Sequence, residues 1–318
     1  MAAYASEPAG SAPNSVAIDR QIAAASSPQR GFVVYVNGHP GGRLVARVSP
    51  TLRGDDGRPM GLLSYVECLN DAVAAGALFG RAIAWLYEQG VGRIVGPLDG
   101  DTWHRYRVNA GPYTRPRFPL EPWNPSYYQQ LWERAGFRVL ESYSSKWIED
   151  VGSLLPGLEK GLQRSRERGI RIRNLNTSRV PDELSLIHEL SSAIFHDAFL
   201  YSPIARDEFL ALYAGMERML DPALVLFAEN DAGAAVGFVF AYADATQRAV
   251  HYKTIGVHPD WRRSAAAAAL SHAVYSAALG KSLPNGNHAL MRDDNRSQAL
   301  DQGLGEVFRR YLLYEWPA

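Results

Sequence analysis

Ile255-Gly-Val-His-Pro-Asp-Trp-Arg-Arg-Ser-Ala-Ala-Ala-Ala-Ala-Leu270 is the stretch on which the fold turns. Its first residues close an extended run, Ala249-Val-His-Tyr-Lys-Thr-Ile-Gly-Val257, rich in β-branched and aromatic side chains. Beyond Pro259, an alanine-rich segment from Ser264 to Leu279 reads as a helix. Two further strands precede the run, Ala223–Glu229 and Ala234–Ala243, separated by the turns Asn230-Asp-Ala-Gly and Asp244-Ala-Thr-Gln. Before them lie a strand, Ile170–Leu175, and helices over Pro181–Phe199 and Ile204–Leu220. After them come a strand (His288–Arg292), a short helix (Ser297–Gly303) and a last strand (Phe308–Tyr314). The order β-α-α-β-β-β-α-β-α-β is mixed α/β.

The first half repeats part of that order. Strands are expected at Gly31–Asn37, Arg43–Ser49 and Gly61–Glu67, followed by a helix from Ala72 to Gln89 behind the N-cap pair Asn70-Asp71. A short strand, Arg93–Pro97, leads to a Pro- and aromatic-rich loop, a helix over Tyr127–Ala135 and a strand over Gly136–Trp147. The echo lies in element order rather than residue identity. The expected division is a disordered tail over 1–29, a unit over 30–150, a connector over 151–169 and a second unit over 170–318.

Bulk composition narrows the function. Thirty-three basic and thirty-three acidic residues cancel, which removes any bulk electrostatic case for nucleic acid or a membrane surface. The single cysteine, Cys68, excludes an internal disulfide framework and a multi-thiolate metal centre; it reads as a small buried hydrophobe in a reducing cytoplasm. No apolar run is long enough to span a bilayer, and the first residues lack the features of a secretory signal. No Walker loop, H-E-x-x-H, G-x-S-x-G or dinucleotide fingerprint occurs.

The segment Ile255–Leu270 resembles the GCN5-related N-acetyltransferase (GNAT) superfamily, in which a strand ending V-x-P enters an Arg/Gln-x-x-Gly-x-Gly/Ala loop that opens a helix. Val257 and Pro259 match, Arg262 takes the first loop position, and Leu270 fits the helix face. Asn295-Arg-Ser-Gln-Ala-Leu300 resembles the family's later N-x-x-A segment, and Tyr311-Leu-Leu-Tyr-Glu its last strand. Tyr127–Phe137 reads like the family's closing helix-Gly-Phe element, but no glycine loop precedes it. The resemblance therefore implies tandem GNAT-like domains, each a mixed, largely antiparallel sheet flanked by helices. Only the C-terminal one carries the V-shaped strand splay and a cofactor site; the first is a degenerate repeat.

What the resemblance implies for chemistry is a phosphopantetheine thioester donor, free acyl-CoA or an acyl carrier protein, and a small amine acceptor. Donor contacts would come from Ile255, Gly256, Val257, Arg262, Arg263, Ser264, Ala265, Ala266, Ala267, Asn295 and Ser297, with no metal. The loop glycines are replaced by Ala265 and Ala267. A Cβ at each narrows the cradle for two phosphates while leaving helix N–H donation intact, which favours a carrier's single phosphodiester. The family's base positions on the preceding strand fall on His251 and Lys253. Strand alternation puts both on one face with Ile255, opposite Tyr252 and Thr254. His251 suits proton transfer near neutrality; Lys253 would need strong desolvation to act as a base. His196 and Asp197 lie in the family's acceptor region, pointing about 100° apart on a helix. Glu229 is a further candidate for that region. No tyrosine follows the N-x-x-A segment to serve as acid.

Trp103-His-Arg-Tyr-Arg and Phe118–Tyr128 read either as a binding surface or as loops packed over the seam between halves. Two other functions remain open. One is an aminoacyl-tRNA-dependent transferase, for which Arg164, Arg166, Arg168, Arg171 and Arg173 supply a basic stretch around the connector, although zero net charge speaks against a nucleic-acid partner. The other is a non-catalytic acyl- or partner-binding protein.

Overall fold

The computed structural model describes residues 27–216 and 219–317. The expected tail lies almost wholly outside them, and Gln29 already belongs to the first strand. In chain order the strands are β1 (Gln29–Val36), β2 (His39–Arg53), β3 (Pro59–Cys68), β4 (Arg93–Gly96), β5 (Val108–Gly111), β6 (Arg138–Ile148), β7 (Arg171–Asn174), β8 (Val225–Glu229), β9 (Ala235–Asp244), β10 (Ala249–Val257), β11 (Asn285–Arg292) and β12 (Glu306–Trp316). The helices are α1 (Ala72–Glu88), α2 (Tyr128–Arg134), α3 (Leu155–Glu167), α4 (Val180–Phe195), α5 (Arg206–Tyr213) and α6 (Ala266–Gly280). The short helix expected at Ser297–Gly303 is a 3₁₀ turn over Arg296–Asp301.

All strands join one sheet in the order β1-β2-β3-β4-β12-β6-β11-β10-β9-β8-β7, with β5 paired to β12. Two pairs in it are parallel, β3 with β4 and β10 with β11, each connected through a helix on one face. The element order of the two halves thus recurs as β-β-β-α-β. Their closing strands change places. β12, the last of the chain, lies against β4, while β6 lies against β11.

Helix α1 packs Leu78, Phe79, Ala82, Ile83 and Leu86 on the first half's sheet with Trp132 and Phe137. On one face of the second half, α6 buries Leu270, Val274 and Tyr275 against Val239, Val250 and Tyr252. On the other face, α4 and α5 cover Val225, Phe227, Phe238, Phe240 and Tyr242. Each such leucine, isoleucine, valine or phenylalanine contributes about 1.5–3 kcal/mol by burial. A close approach lets α3 lie along α6: a Cβ on Gly161 would come within 2.5 Å of the Ala268 methyl.

Candidate functional site

The site is a splay between β10 and β11. Their parallel pairing runs from Ala249↔Asn285 to Tyr252↔His288 and then stops. Irregularities on both strands open it. On β10 the register to β9 slips between Tyr252 and Thr254, inserting Lys253 as an extra residue. On β11 the pairing to β6 slips between His288 and Met291, and Leu290 adopts φ +60°. The Leu290 N–H bonds Ser145 Oγ at 3.1 Å, and its carbonyl accepts from Arg107 Nη1 at 3.0 Å. Arg107, from the first half, thereby spans the mouth of the splay.

The β10 bulge corrects the expected alternation. Ile255 packs with Tyr252 in the α6 cluster, while Thr254 pairs with Phe240 of the opposite face. An extra residue flips the side of everything after it, so His251, Lys253 and Ile255 do not form one row. Gly256 turns toward α4, where a Cβ would come within 2.9 Å of Ile194.

His251 is fully buried. Its ring lies between Phe118 and Tyr242, with centroids 5.2 and 5.1 Å away. Nε2 meets Asp244 Oδ2 at 3.3 Å, and Nδ1 meets Asn287 Nδ2 at 2.9 Å. The hydrogen bond from His251, with those from Thr246 and Gln247, holds the Asp244 carboxyl well below the ordinary carboxylate range against the opposing effect of burial. With both ring nitrogens engaged and no exposed surface, His251 as placed is a core residue and not a base for a bound amine. Its cover is the loop expected to lie over the seam. That loop is pinned by the fully buried pair Glu121–Arg309, 2.9 Å apart, in which Glu121 also accepts from Tyr311 at 2.7 Å. The Tyr242 hydroxyl donates to the Pro119 carbonyl.

Lys253 sits in the opening, partly exposed. Desolvation, aided by the nearby Arg107 charge, pulls its ammonium down to about 7. The desolvation that the sequence alone could not supply is thus present. His196 and Asp197 lie beyond the end of α4, and their side chains meet at 2.9 Å in an exposed position instead of pointing apart along a helix. Glu229 is taken by Arg173 at 2.6 Å, which also binds Glu183 at 2.8 Å. Asn295 caps the 3₁₀ turn by accepting from the Ser297 N–H. Trp103 belongs to the seam, donating from Nε1 to the Ser202 carbonyl and packing on Phe209. Near it, ligand-type atoms of Asp101, His104 and Glu208 lie within 4.8 Å of one another, but Asp101 Oδ1 already accepts the N–H groups of Trp103 and His104.

At the far end of β10, a cavity of about 360 Å³ is lined by Arg168, Asp260, Trp261, Arg263 and Ser264. It lies at the N-terminus of α6. Ala265 occupies the cap position at φ +63°, in the left-handed region, with no side-chain cap. Ser264 Oγ accepts from the Ala266 N–H. Among the described residues the Ala265 and Ala267 N–H groups have no protein acceptor, so with the helix dipole they offer an anion a seat. Arg262 and Arg263 are exposed beside it, and Arg168 donates to the Arg263 carbonyl. The loop therefore fits a phosphate group. The equivalent end of α1 does not: the Asp71 carboxylate accepts from the Val73 and Ala74 N–H groups and fills the anion position with the protein's own charge. The first half's splay is closed as well. Leu98 N–H continues the ladder to the Leu63 carbonyl, and Asp99 accepts from Tyr65 N–H.

This architecture recurs among solved structures. A probable N-acyltransferase from Enterococcus faecalis V583 aligns over 90% of this chain and 62% of its own, with a TM-score of 0.57 at 10% identity. A tandem GNAT protein from the clavulanic acid biosynthesis pathway aligns over 95% and 87%, with a TM-score of 0.51 at 15% identity. The chain has the GNAT fold. No family model matches it. Among curated proteins, Protein YghO of Escherichia coli K12 is 22% identical over 191 residues, covering 60% of this chain and 49% of that protein. Bacterial ceramide synthase of Caulobacter vibrioides is 24% identical over 205 residues, covering 63% and 53%. The chain thus spans about half the length of the curated relatives it matches. Within the GNAT fold, the second half carries the open splay and a helix start with the Ala265 and Ala267 N–H groups left over, while the first half retains the strand order with both features closed. No helix among the described residues is long and apolar enough to cross a membrane.

Proposed function

We propose that the chain is an N-acyltransferase that moves an acyl group from a phosphopantetheine thioester to an amine, by direct attack in a ternary complex. The observation that carries this is Lys253, desolvated in the opened splay. The donor supplies an activated carbonyl. Its phosphate is held at the start of α6, with Arg263 and Ser264 alongside. Its arm follows the edge of β10 freed by the splay. Lys253, neutral in about half the molecules at pH 7, takes the proton that an attacking ammonium must lose. In this reading residues 30–150 form a scaffold unit, 151–169 the connector and 170–318 the catalytic unit.

With alanine at 265 in place of the family's glycine and Arg168 lining the cavity, the cradle is read as suiting one phosphate better than two, which favours a carrier-bound donor over free acyl-CoA. The curated relative named a ceramide synthase supports amide formation, since a ceramide is an N-acylated long-chain amine. Thiol release is measured with matched acyl-CoA and acyl-carrier donors against short- and long-chain amines. Amine-dependent release, faster from the carrier, is expected. Equal rates would remove the carrier preference, and no release with any donor would remove the enzymatic reading.

A further inference from the structure

A cation pair without a counter-ion stands at the reacting end of the splay. Arg107 is 8% exposed and has φ +81°. Its guanidinium carbon lies 3.7 Å from the centroid of Tyr106 and 4.1 Å from that of Tyr143. Nη1 is spent on the Leu290 carbonyl. The other edge of the fork, Nε and Nη2, has no protein acceptor among the described residues, and Nε is buried. No carboxylate among them forms an ion pair with Arg107 or Lys253, although Arg309, also buried, is paired with Glu121. Leaving a buried guanidinium edge unpaired is costly, the more so because the group is charged. That edge matches the two oxygens of a carboxylate.

We propose that the Nε–Nη2 edge of Arg107 binds a carboxylate carried by the acceptor close to its amine, so that the first half supplies the specificity residue of the second half's site. The assignment rests on the acyltransferase reading for its biological sense, but the binding itself does not. An amino-acid-like acceptor would place its carboxylate on Arg107 and its nitrogen toward Lys253. Other groups around the fork are the hydroxyls of Tyr106 and Tyr143, with Arg292 and Glu141 beyond Tyr143. Arg292 is already paired with Asp294.

Lys253 reports occupancy without any acyl donor, because neutralising Arg107 removes a charge that holds its ammonium down. The full chain, labelled with ¹³C-lysine, is titrated by NMR in acetate and in chloride at matched ionic strength. Lys253 is one of four lysines, and Lys146 and Lys281 are ion-paired to Asp301 and Asp221. Acetate should shift the Lys253 titration upward relative to chloride, and Arg107→Met should abolish the difference. Arg107→Lys, which keeps the charge and loses the fork, should weaken acetate binding at least tenfold and serves if the methionine variant does not fold. Identical curves in acetate and chloride would overturn the site. In acyl transfer, β-alanine should outpace propylamine in kcat/KM in the wild type and lose that advantage in Arg107→Lys. Acetate binding combined with equal rates for the two amines would overturn the acceptor assignment, placing the donor's carbonyl oxygen on Arg107 instead.

Discussion

Ala265→Gly and Ala267→Gly should move stability in opposite directions, although both restore a glycine to the same alanine run. Ala265 stands at φ +63° and ψ +16°, where its Cβ crowds the following carbonyl at a cost of about 1–2 kcal/mol. Glycine removes that cost and gives back part through the freer unfolded chain, about 0.4–1 kcal/mol. The net gain is about 0.5–1 kcal/mol, a rise in melting temperature of roughly 1–3 °C for a chain of this size. Ala267 lies inside the first turn of α6 with helical geometry, so glycine there costs about 0.5–1 kcal/mol and lowers melting by a similar amount. Calorimetry on the two variants and the wild type reads both signs. Coenzyme A binding, followed by titration calorimetry, should tighten in Ala265→Gly, because glycine lets a phosphate approach the backbone more closely. Destabilisation by both substitutions alike would refute the left-handed cap and the account of the cradle built on it.

Lys253→Met should reduce turnover about 10²–10⁴-fold and erase a rate limb that rises through about pH 7, with donor binding retained. The same substitution should alter pH-stability: the folded Lys253 sheds its proton near 7 and the unfolded one near 10.5, so wild-type stability rises with pH across that window and the variant lacks the slope. His251→Ala should act on the fold, costing about 3 kcal/mol in denaturant melts through the cavity between Phe118 and Tyr242. Asp244 contributes stability above its ordinary value of 3.8 that is lost as pH falls through its lowered one, and loss of its His251 bond should flatten that acid limb in the variant. Asp71→Ala should cost about 1 kcal/mol of stability without changing coenzyme A binding, because that helix end is not the donor's.

Much of the scaffold was legible because it depends on local pattern. Ala249–Val257 is found as a strand with the bounds read from its β-branched residues, and Asp71 caps α1 as the Asn70-Asp71 pair suggested. The C-terminal bounds of α4 and α5 were overextended, since polar His196 and the apolar residues after Tyr213 fit a helical period but leave the helices before it completes. The bulge at Lys253 was invisible: His-Tyr-Lys-Thr-Ile alternates equally well with or without an extra residue, and only the register to β9 decides. Arg107 was missed for a different reason. It lies in an irregular loop whose aromatic and basic residues marked a seam, and nothing local to Tyr106-Arg107 tells which of them crosses to Leu290, 183 residues on.

The exchange of closing strands has a consequence for how the chain is made. β12 fills the place between β4 and β6, so the first half cannot complete its hydrogen-bonding partners from its own sequence. During synthesis, β4 and β6 wait with open edges until residues 306–316 emerge, and open edges are templates for association with other nascent chains. Cutting the gene between the two units would yield two fragments that each lack a neighbour held by the other. Loss of the last dozen residues would open a gap at the centre of the sheet, not at its margin. The two halves have therefore become one inheritable unit: a recombination event that replaces either half must also match the strand it lends.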